Sequence, residues 1–267
     1  MEITTSSGCP VDCYYCPQDL YKRSYKGKPR LSLEDFNTVI DKLPKDMGIW
    51  FGCFTEPFIN SDCTNMIESA ISKGFKVRIF STLVGMKAED VERLSKMDIQ
   101  EFTLHLPDNK NNTKIPVNTQ MYKDTLALVL QKLRIDNFSV MNENFIDNER
   151  AGTTRTARGT HMKGMYECFK LVHPQFAMLP NCDVALCCND FGLKHILGNL
   201  LTQSYDEIVN SKEFRRIRAD RLKFDSKDIL CRNCMFAVPI FEYYTFQAAI
   251  ALVGPVVKDI MVTKYWR

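Results

Sequence analysis

The sequence predicts an α/β fold, a parallel sheet curled toward a barrel, with a smaller unit of different character behind it. Three observations carry this. Strand-like and helix-like segments alternate from the N-terminus to about residue 142. Three cysteines, Cys9, Cys13 and Cys16, crowd into the loop after the first strand. A second cysteine-bearing segment, with its own hairpin and helix, follows residue 165 and ends in "CRNC".

The elements follow in order. "EITTSS" is a short β-rich run leading into "GCPVDCYYCPQ". In "PRLSLEDFNTVIDKL", Ser32 and Asp35 are placed as a capping box, and Leu33, Phe36, Ile40 and Leu43 recur at helical spacing. "GIWFGCF" is a compact apolar run that reads as a buried strand. "SDCTNMIESAISKG" is a helix with Ser61 or Asp62 as N-cap and Gly74 as the stop. "KVRIFS" is a strand, "KAEDVERLSKM" a helix and "IQEFTLHL" a strand. "TQMYKDTLALVLQKLR" is a helix with Tyr122, Leu126, Val129, Leu130 and Leu133 on one side, and "IDNFSVM" is a fifth strand. Five strands alternating with four helices imply a parallel sheet. In such sheets the chemistry lies at the C-terminal ends of the strands, so the cysteine loop and "GCFTEP" face one mouth.

After residue 142 the alternation stops. "NENFIDNERAGTTRTARGTHMKG" is polar and basic. "FAMLPNCDVALCC" reads as a hairpin, and "SYDEIVNSKEFRRIRADRL" as one helix with Ser204 and Glu207 as a capping box. The tail "FEYYTFQAAIALVGPVVKDIMVTKYWR" is mixed and helical in part. The expected division is a barrel over 1–150, a basic linker over 151–165 and a cysteine-bearing unit over 166–267.

Composition bounds the function. The chain has 267 residues, 45% of them hydrophobic, enough for a real core. A net charge of +3 is too small to argue for nucleic acid or an anionic membrane. No apolar run has the length of a membrane span, and the N-terminus lacks a signal peptide's basic and apolar regions. A cytoplasmic location follows as the expectation. There the 11 cysteines stay reduced and available to metals. Cys53 and Cys63 suit the role of small buried hydrophobes; clusters with x2 and x3 spacing do not.

A cluster held by four thiolates is coordinatively complete and suited to electron transfer, whereas three leave one iron open to a ligand. Catalytic zinc follows the same logic. C-x3-C-x2-C after a first strand, with Tyr15 before the last cysteine, resembles the radical S-adenosylmethionine superfamily. The resemblance implies a partial, abbreviated TIM-type β/α barrel and a 4Fe–4S cluster on Cys9, Cys13 and Cys16. Its open iron binds S-adenosylmethionine and yields a 5′-deoxyadenosyl radical. "FGCFTEP" resembles the segment that holds the cofactor's amine: Gly52, Glu56 and Pro57 match, and Thr55 stands where glycine is usual. In "IFSTLVG", Thr82 matches a Thr-Asn-Gly segment and Leu83 departs from it. His105 lies where relatives place a polar residue near the cofactor; a structural role is the alternative.

The C-terminal unit resembles the SPASM domain in its shorter form, Twitch. Cys168, Cys187, Cys231 and Cys234 fall on the ligand positions of an auxiliary 4Fe–4S cluster, with Cys188 a rival to Cys187. Zinc on the same four is the alternative reading. The hairpin turn of this subgroup carries glycine where this chain has Cys182. Length and cysteine spacing are similar to the 2-deoxy-scyllo-inosamine dehydrogenases, Twitch-type enzymes that oxidise a secondary alcohol. Arg150 in "NERAG" matches an arginine there that lies near the substrate. Arg155, Arg158, His161 and Lys163 form a basic run that could hold an anion or simply be solvated.

Three functions remain open: radical oxidation or epimerisation of a carbohydrate or related small molecule, radical modification of a peptide, and a non-catalytic zinc- or cluster-binding protein. The first implies a small, anionic or neutral substrate, a one-electron reductant such as flavodoxin or ferredoxin, and no membrane or nucleic-acid partner. Peptide-modifying relatives carry an extra N-terminal peptide-binding domain, for which the early first strand leaves no room. An epimerase would need a hydrogen donor, and Cys53, Cys182 and Cys188 are the available thiols.

Overall fold

A computed structural model describes residues 1–110, 112–141, 149–154, 157, 159 and 161–253. Arg155, Arg158 and the last part of the tail lie outside the described residues.

The expected alternation is present. Strands β1 (Glu2–Ile3), β2 (Ile49–Phe51), β3 (Val77–Ser81), β4 (Glu101–Pro107) and β5 (Asn137–Met141) pair in parallel, each with the next. Helices α1 (Gln18–Ser24), α2 (Leu33–Ile40), α3 (Cys63–Ser72), α4 (Ala88–Leu94) and α5 (Gln120–Lys132) connect them. In β2, Ile49 and Phe51 are buried, and Phe36 of α2 packs on Phe51 with ring centroids 5.9 Å apart. Alternate residues therefore point to the opposite face, where Trp50, Phe80 and His105 form a ladder of ring contacts.

Local chemistry sets the ends. Ser32 accepts from the Asp35 N–H, but the Asp35 carboxylate bonds Lys28 at 2.7 Å, so only half of the expected capping box forms. Gly74 ends α3 at φ +86°, as read from the sequence. On α5, Leu130 is exposed, contrary to its placement on the apolar side; the buried stripe is Tyr122, Thr125 and Val129. Helix α1, seven residues directly after Cys16, is an addition to the expected elements.

The principal difference from expectation is the sheet itself. Strand β7 (Ala177–Met178) pairs in parallel with β1, and β8 (Asp183–Ala185) and β9 (Ile196–Asn199) follow antiparallel. One eight-stranded sheet thus runs β5-β4-β3-β2-β1-β7-β8-β9 through the barrel and the C-terminal hairpin. A separate two-stranded sheet joins β6 (Tyr166–Glu167) to β10 (Val238–Pro239). Helix α6 (Phe169–Val172) follows β6. The expected single helix after residue 204 is two, α7 (Tyr205–Val209) and α8 (Lys212–Asp220). Ser204 and Glu207 do form a capping box, but Ser211 leaves the helical conformation and caps Phe214, which starts a new helix. Helix α9 (Ile240–Val253) closes the described chain. Among the described residues no helix is long and apolar enough to cross a membrane.

Candidate active site

The C-terminal ends of β1, β2, β3 and β4 converge on one cavity. Cys9, Cys13, Tyr15, Cys16, Gly52, Cys53, Thr55, Glu56, Thr82, His105 and Arg150 all line it, around about 650 Å³ of atom-free space. The barrel residues expected to hold cluster, cofactor and substrate are therefore brought together. Burial pushes the thiols up, to about 11 for Cys9 and about 12 for Cys13, with Cys16 raised as well. A metal bound by these thiols would have to displace their protons. A larger cavity at the opposite ends of the strands, lined by Trp50, Arg78, Gln100 and His173, contains no cysteine.

The second-strand segment shows why its residue types are needed. Gly52 sits at φ +117°, and a Cβ there would lie 2.6 Å from the Phe80 carbonyl oxygen, too close for any side chain. Thr55, in the place of the usual glycine, donates its hydroxyl to the Gly8 carbonyl at 2.9 Å and so ties this segment to the residue before Cys9. Glu56 is buried. Its Oε1 accepts from Ser81 Oγ, and its Oε2 from Thr82 N and Oγ1, all at 2.7 Å. Burial raises the Glu56 pKa despite these three donors. Leu83, which departs from the family pattern, stands at φ +65°, the left-handed region where asparagine and glycine are at ease.

Arg150 enters from the segment after β5, with both it and Ala151 at positive φ. Its guanidinium lies 5.5 Å from the Phe191 ring centroid and donates to Asn189 Oδ1 at 3.3 Å. Burial opposes its charge, and the nearby Cys188, Cys16, Cys53 and Glu2 outweigh that. His105 is driven down to about 4 by burial and by the Arg150 charge, so its ring is neutral at ordinary pH.

A second cavity gathers the other cysteines. Cys168, Cys187, Cys231 and Cys234 line it with Lys170, Leu171 and Asn189, around about 370 Å³ of atom-free space. Cys188 does not line it; its sulfur takes a hydrogen bond from Lys170 at 3.0 Å. The C-x2-C loop is anchored by a residue that sequence reasoning passes over. Arg232, between the two cysteines, is 1% exposed, pairs with Asp220 at 3.0 Å and donates to the carbonyls of Gly164 and Lys223. His195 supports the other side: its Nδ1 donates to Glu213 at 2.6 Å while its Nε2 accepts from the Leu230 N–H. Neither shows in a cysteine pattern, because both act on the backbone around the ligands. Among the described residues no three of His, Cys, Asp or Glu converge as a single metal ion requires.

Cys182 is part of the hydrophobic core, fully buried, and lines neither cavity. It keeps the glycine-like turn conformation at φ +66°. His161 bonds Asp225 and Asn233 rather than standing open in a basic run.

Comparison with known proteins agrees with this layout. The fold is shared with several solved structures. BtrN in complex with AdoMet and 2-DOIA superposes with a TM-score of 0.65 at 17% identity, over 87% of this chain and 91% of that one. Streptococcus suis SuiB bound to precursor peptide SuiA gives 0.56 at 15% identity, over 87% and 68%. Native anSMEcpe with bound AdoMet gives 0.53 at 14% identity, over 80% and 81%. At these identities the likeness is one of fold. Comparison with curated proteins finds no significant match. Residues 168–235 match the SPASM family, described as an iron-sulfur cluster-binding domain, and the four cysteines of the second cavity all fall within that stretch.

Proposed function

We propose that the chain is a radical S-adenosylmethionine enzyme that oxidises or epimerises a small carbohydrate or cyclitol. One observation carries this most directly. Cys9, Cys13 and Cys16 line the same cavity as Gly52, Glu56, Thr82 and Arg150, at the C-terminal mouth of the sheet. A 4Fe–4S cluster with an open iron, loaded with S-adenosylmethionine, supplies a 5′-deoxyadenosyl radical able to abstract hydrogen from carbon. Three thiols sharing one loop suit that group, and Gly52 lets the second-strand loop pack directly against the Phe80 carbonyl at the cavity wall. Glu56 and Thr82 hold the cofactor's methionyl end, and Tyr15, Thr55 and His105 complete its surround. Arg150, a buried cation at the same cavity, orients the substrate. Cys168, Cys187, Cys231 and Cys234 hold an auxiliary cluster for the second electron of an oxidation. The reductant is a flavodoxin- or ferredoxin-like carrier.

The likeness to BtrN favours a small hydroxylated substrate; that to SuiB favours a peptide. Cys53 lines the active cavity and is the thiol placed to return a hydrogen in an epimerisation. The test is anaerobic incubation of reconstituted, reduced protein with S-adenosylmethionine, beside a variant with Cys9, Cys13 and Cys16 changed to alanine. Formation of 5′-deoxyadenosine only by the native chain supports the reading, and its absence despite full iron loading removes it. Cyclitols, sugars and peptides then compete as enhancers of that cleavage. Cys53→Ala separates the two outcomes for a sugar: turnover persists in a dehydrogenase and is lost in an epimerase.

A further inference from the structure

A buried charged pair lies beside the four-cysteine cavity and has no part in the chemistry above. Lys170 sits in the short helix α6, two residues after Cys168, and lines that cavity. Its ammonium donates to Glu2 Oε1 at 2.8 Å and to Cys188 Sγ at 3.0 Å. Glu2 opens β1, at the other end of the chain, and only 8% of its side chain is exposed, against 20% for Lys170. Removing both charges from water is costly, and such a pair is often no better for stability than apolar residues. Stability alone is therefore a poor account of it. Asn189, which also lines the four-cysteine cavity, makes two further contacts. Asn189 Nδ2 lies 3.6 Å from Cys234 Sγ, and Asn189 Oδ1 accepts from Arg150.

We infer that Lys170, offset by Glu2, sets the reduction potential of the auxiliary cluster. This rests on the iron–sulfur reading of Cys168, Cys187, Cys231 and Cys234. Reduction adds one negative charge to a cluster, and net charge nearby is among the determinants of its potential. In a poorly screened interior an ammonium at the cavity wall favours the reduced form, which is what an electron acceptor for a substrate radical needs. A carboxylate on the same ammonium moderates the effect. The hydrogen bond to Cys188 has a second consequence: it holds that sulfur on Lys170 and leaves Cys187, the neighbour lining the cavity, to bind iron. Lys170 is thus a positioning residue, acting on the substrate only through the cluster.

The two members of the pair act with opposite sign, and that makes the idea testable apart from activity. The full chain carrying Cys9→Ala, Cys13→Ala and Cys16→Ala is reconstituted so that only the auxiliary signal remains. Its midpoint potential is measured by electron paramagnetic resonance in a poised titration, then again with Lys170→Met, Lys170→Arg or Glu2→Gln added. Lys170→Met should shift the reduction equilibrium at least tenfold toward the oxidised form, about 59 mV downward for one electron. Glu2→Gln should shift it upward, and Lys170→Arg should stay near the parent. Shifts of the same sign for Met and Gln, or no shift in either, overturn the inference. Glu2→Gln keeps the side chain's shape and decides the sign even if Lys170→Met fails to fold. A parent that binds no iron–sulfur cluster defeats the underlying reading instead, and the inference with it.

Discussion

Glu56→Gln separates the burial of a carboxylate from the hydrogen bonds it accepts. In the folded chain three donors, Ser81 Oγ, Thr82 N and Thr82 Oγ1, point at the carboxylate at 2.7 Å. A hydrogen bond to a charged group contributes about 1.5–3 kcal/mol, and a neutral one about 1 kcal/mol, so losing the charge weakens the set of three by roughly 1.5–6 kcal/mol. The amide also turns a donor toward Ser81 Oγ, which already accepts from the Leu83 N–H. Against this, glutamine escapes the desolvation of a buried carboxylate. The upward pKa shift says that in the wild type burial outweighs the three donors. The net loss near neutral pH should therefore be only about 1–2 kcal/mol. The sign of its pH dependence is fixed. A carboxyl whose folded pKa lies above its unfolded value gains folded-state stability as it is protonated. The wild type should gain on the variant as the pH falls through the folded pKa toward 4.5, the ordinary value. Urea unfolding of both metal-free proteins at pH 7.5 and 5.5 measures the gap. A gap that narrows at the lower pH would mean that the ionised form is the stabilised one, and the burial argument would be refuted. In the loaded protein the same change should weaken S-adenosylmethionine binding roughly 30-fold or more, the equivalent of one charge-assisted contact.

Other perturbations follow from single positions. Gly52→Ala forces a Cβ to 2.6 Å from the Phe80 carbonyl, and should cost about 1–3 kcal/mol in unfolding and abolish 5′-deoxyadenosine formation. Cys182→Gly relieves a left-handed conformation worth about 1–2 kcal/mol but gives up a buried side chain and adds unfolded-state freedom, so stability should change by less than about 1 kcal/mol. Its auxiliary iron should be unchanged; iron loss would assign Cys182 a ligand role. His105, held near 4 by burial and by Arg150, is the reverse of Glu56: a histidine with a lowered folded pKa loses stability as the pH falls from 6.5 toward 4. Wild type should therefore lose ground to His105→Gln over that window, while the activity profile from pH 6 to pH 8 carries no step from this ring.

What can be read from the sequence is whatever repeats or clusters locally. Phe36, Val39 and Ile40 mark the inner face of α2 because a helix brings residues three and four apart together. The first three cysteines signal a site because they share one loop. The auxiliary four need the order of surrounding elements as well, since they are spread along the chain from Cys168 to Cys234. Pairing of β7 with β1 is not legible: each strand is two residues long, too short for any alternation to register. The Glu2–Lys170 pair is invisible for a related reason, its members being 168 residues apart with no pattern linking them. At the break between α7 and α8 the apolar register shifts, with a five-residue polar-filled step from Val209 to Phe214, and the Ser211 cap on the Phe214 N–H decides the backbone.

One continuous sheet links the segments that carry the two cysteine cavities. Strand β1 carries the first cysteine loop at its end and lies between β2 and β7. Its backbone is spoken for on both sides: Glu2 N donates to Phe176 O at 2.8 Å and Thr4 N to Met178 O at 2.9 Å, while Trp50 N donates to Met1 O. A fragment ending at residue 160 keeps the complete β1–β5 alternation and Cys9, Cys13 and Cys16. It would nevertheless strip β7 from β1, leaving the Glu2 and Thr4 N–H groups without their Phe176 and Met178 carbonyls and the apolar residues of the β1 edge open to water. Exposed apolar strand edges also template aggregation. The fragment should therefore be insoluble or unfolded by circular dichroism. A soluble, cooperatively unfolding fragment would mean that the barrel stands alone and that the continuous sheet is only an association of two independent domains.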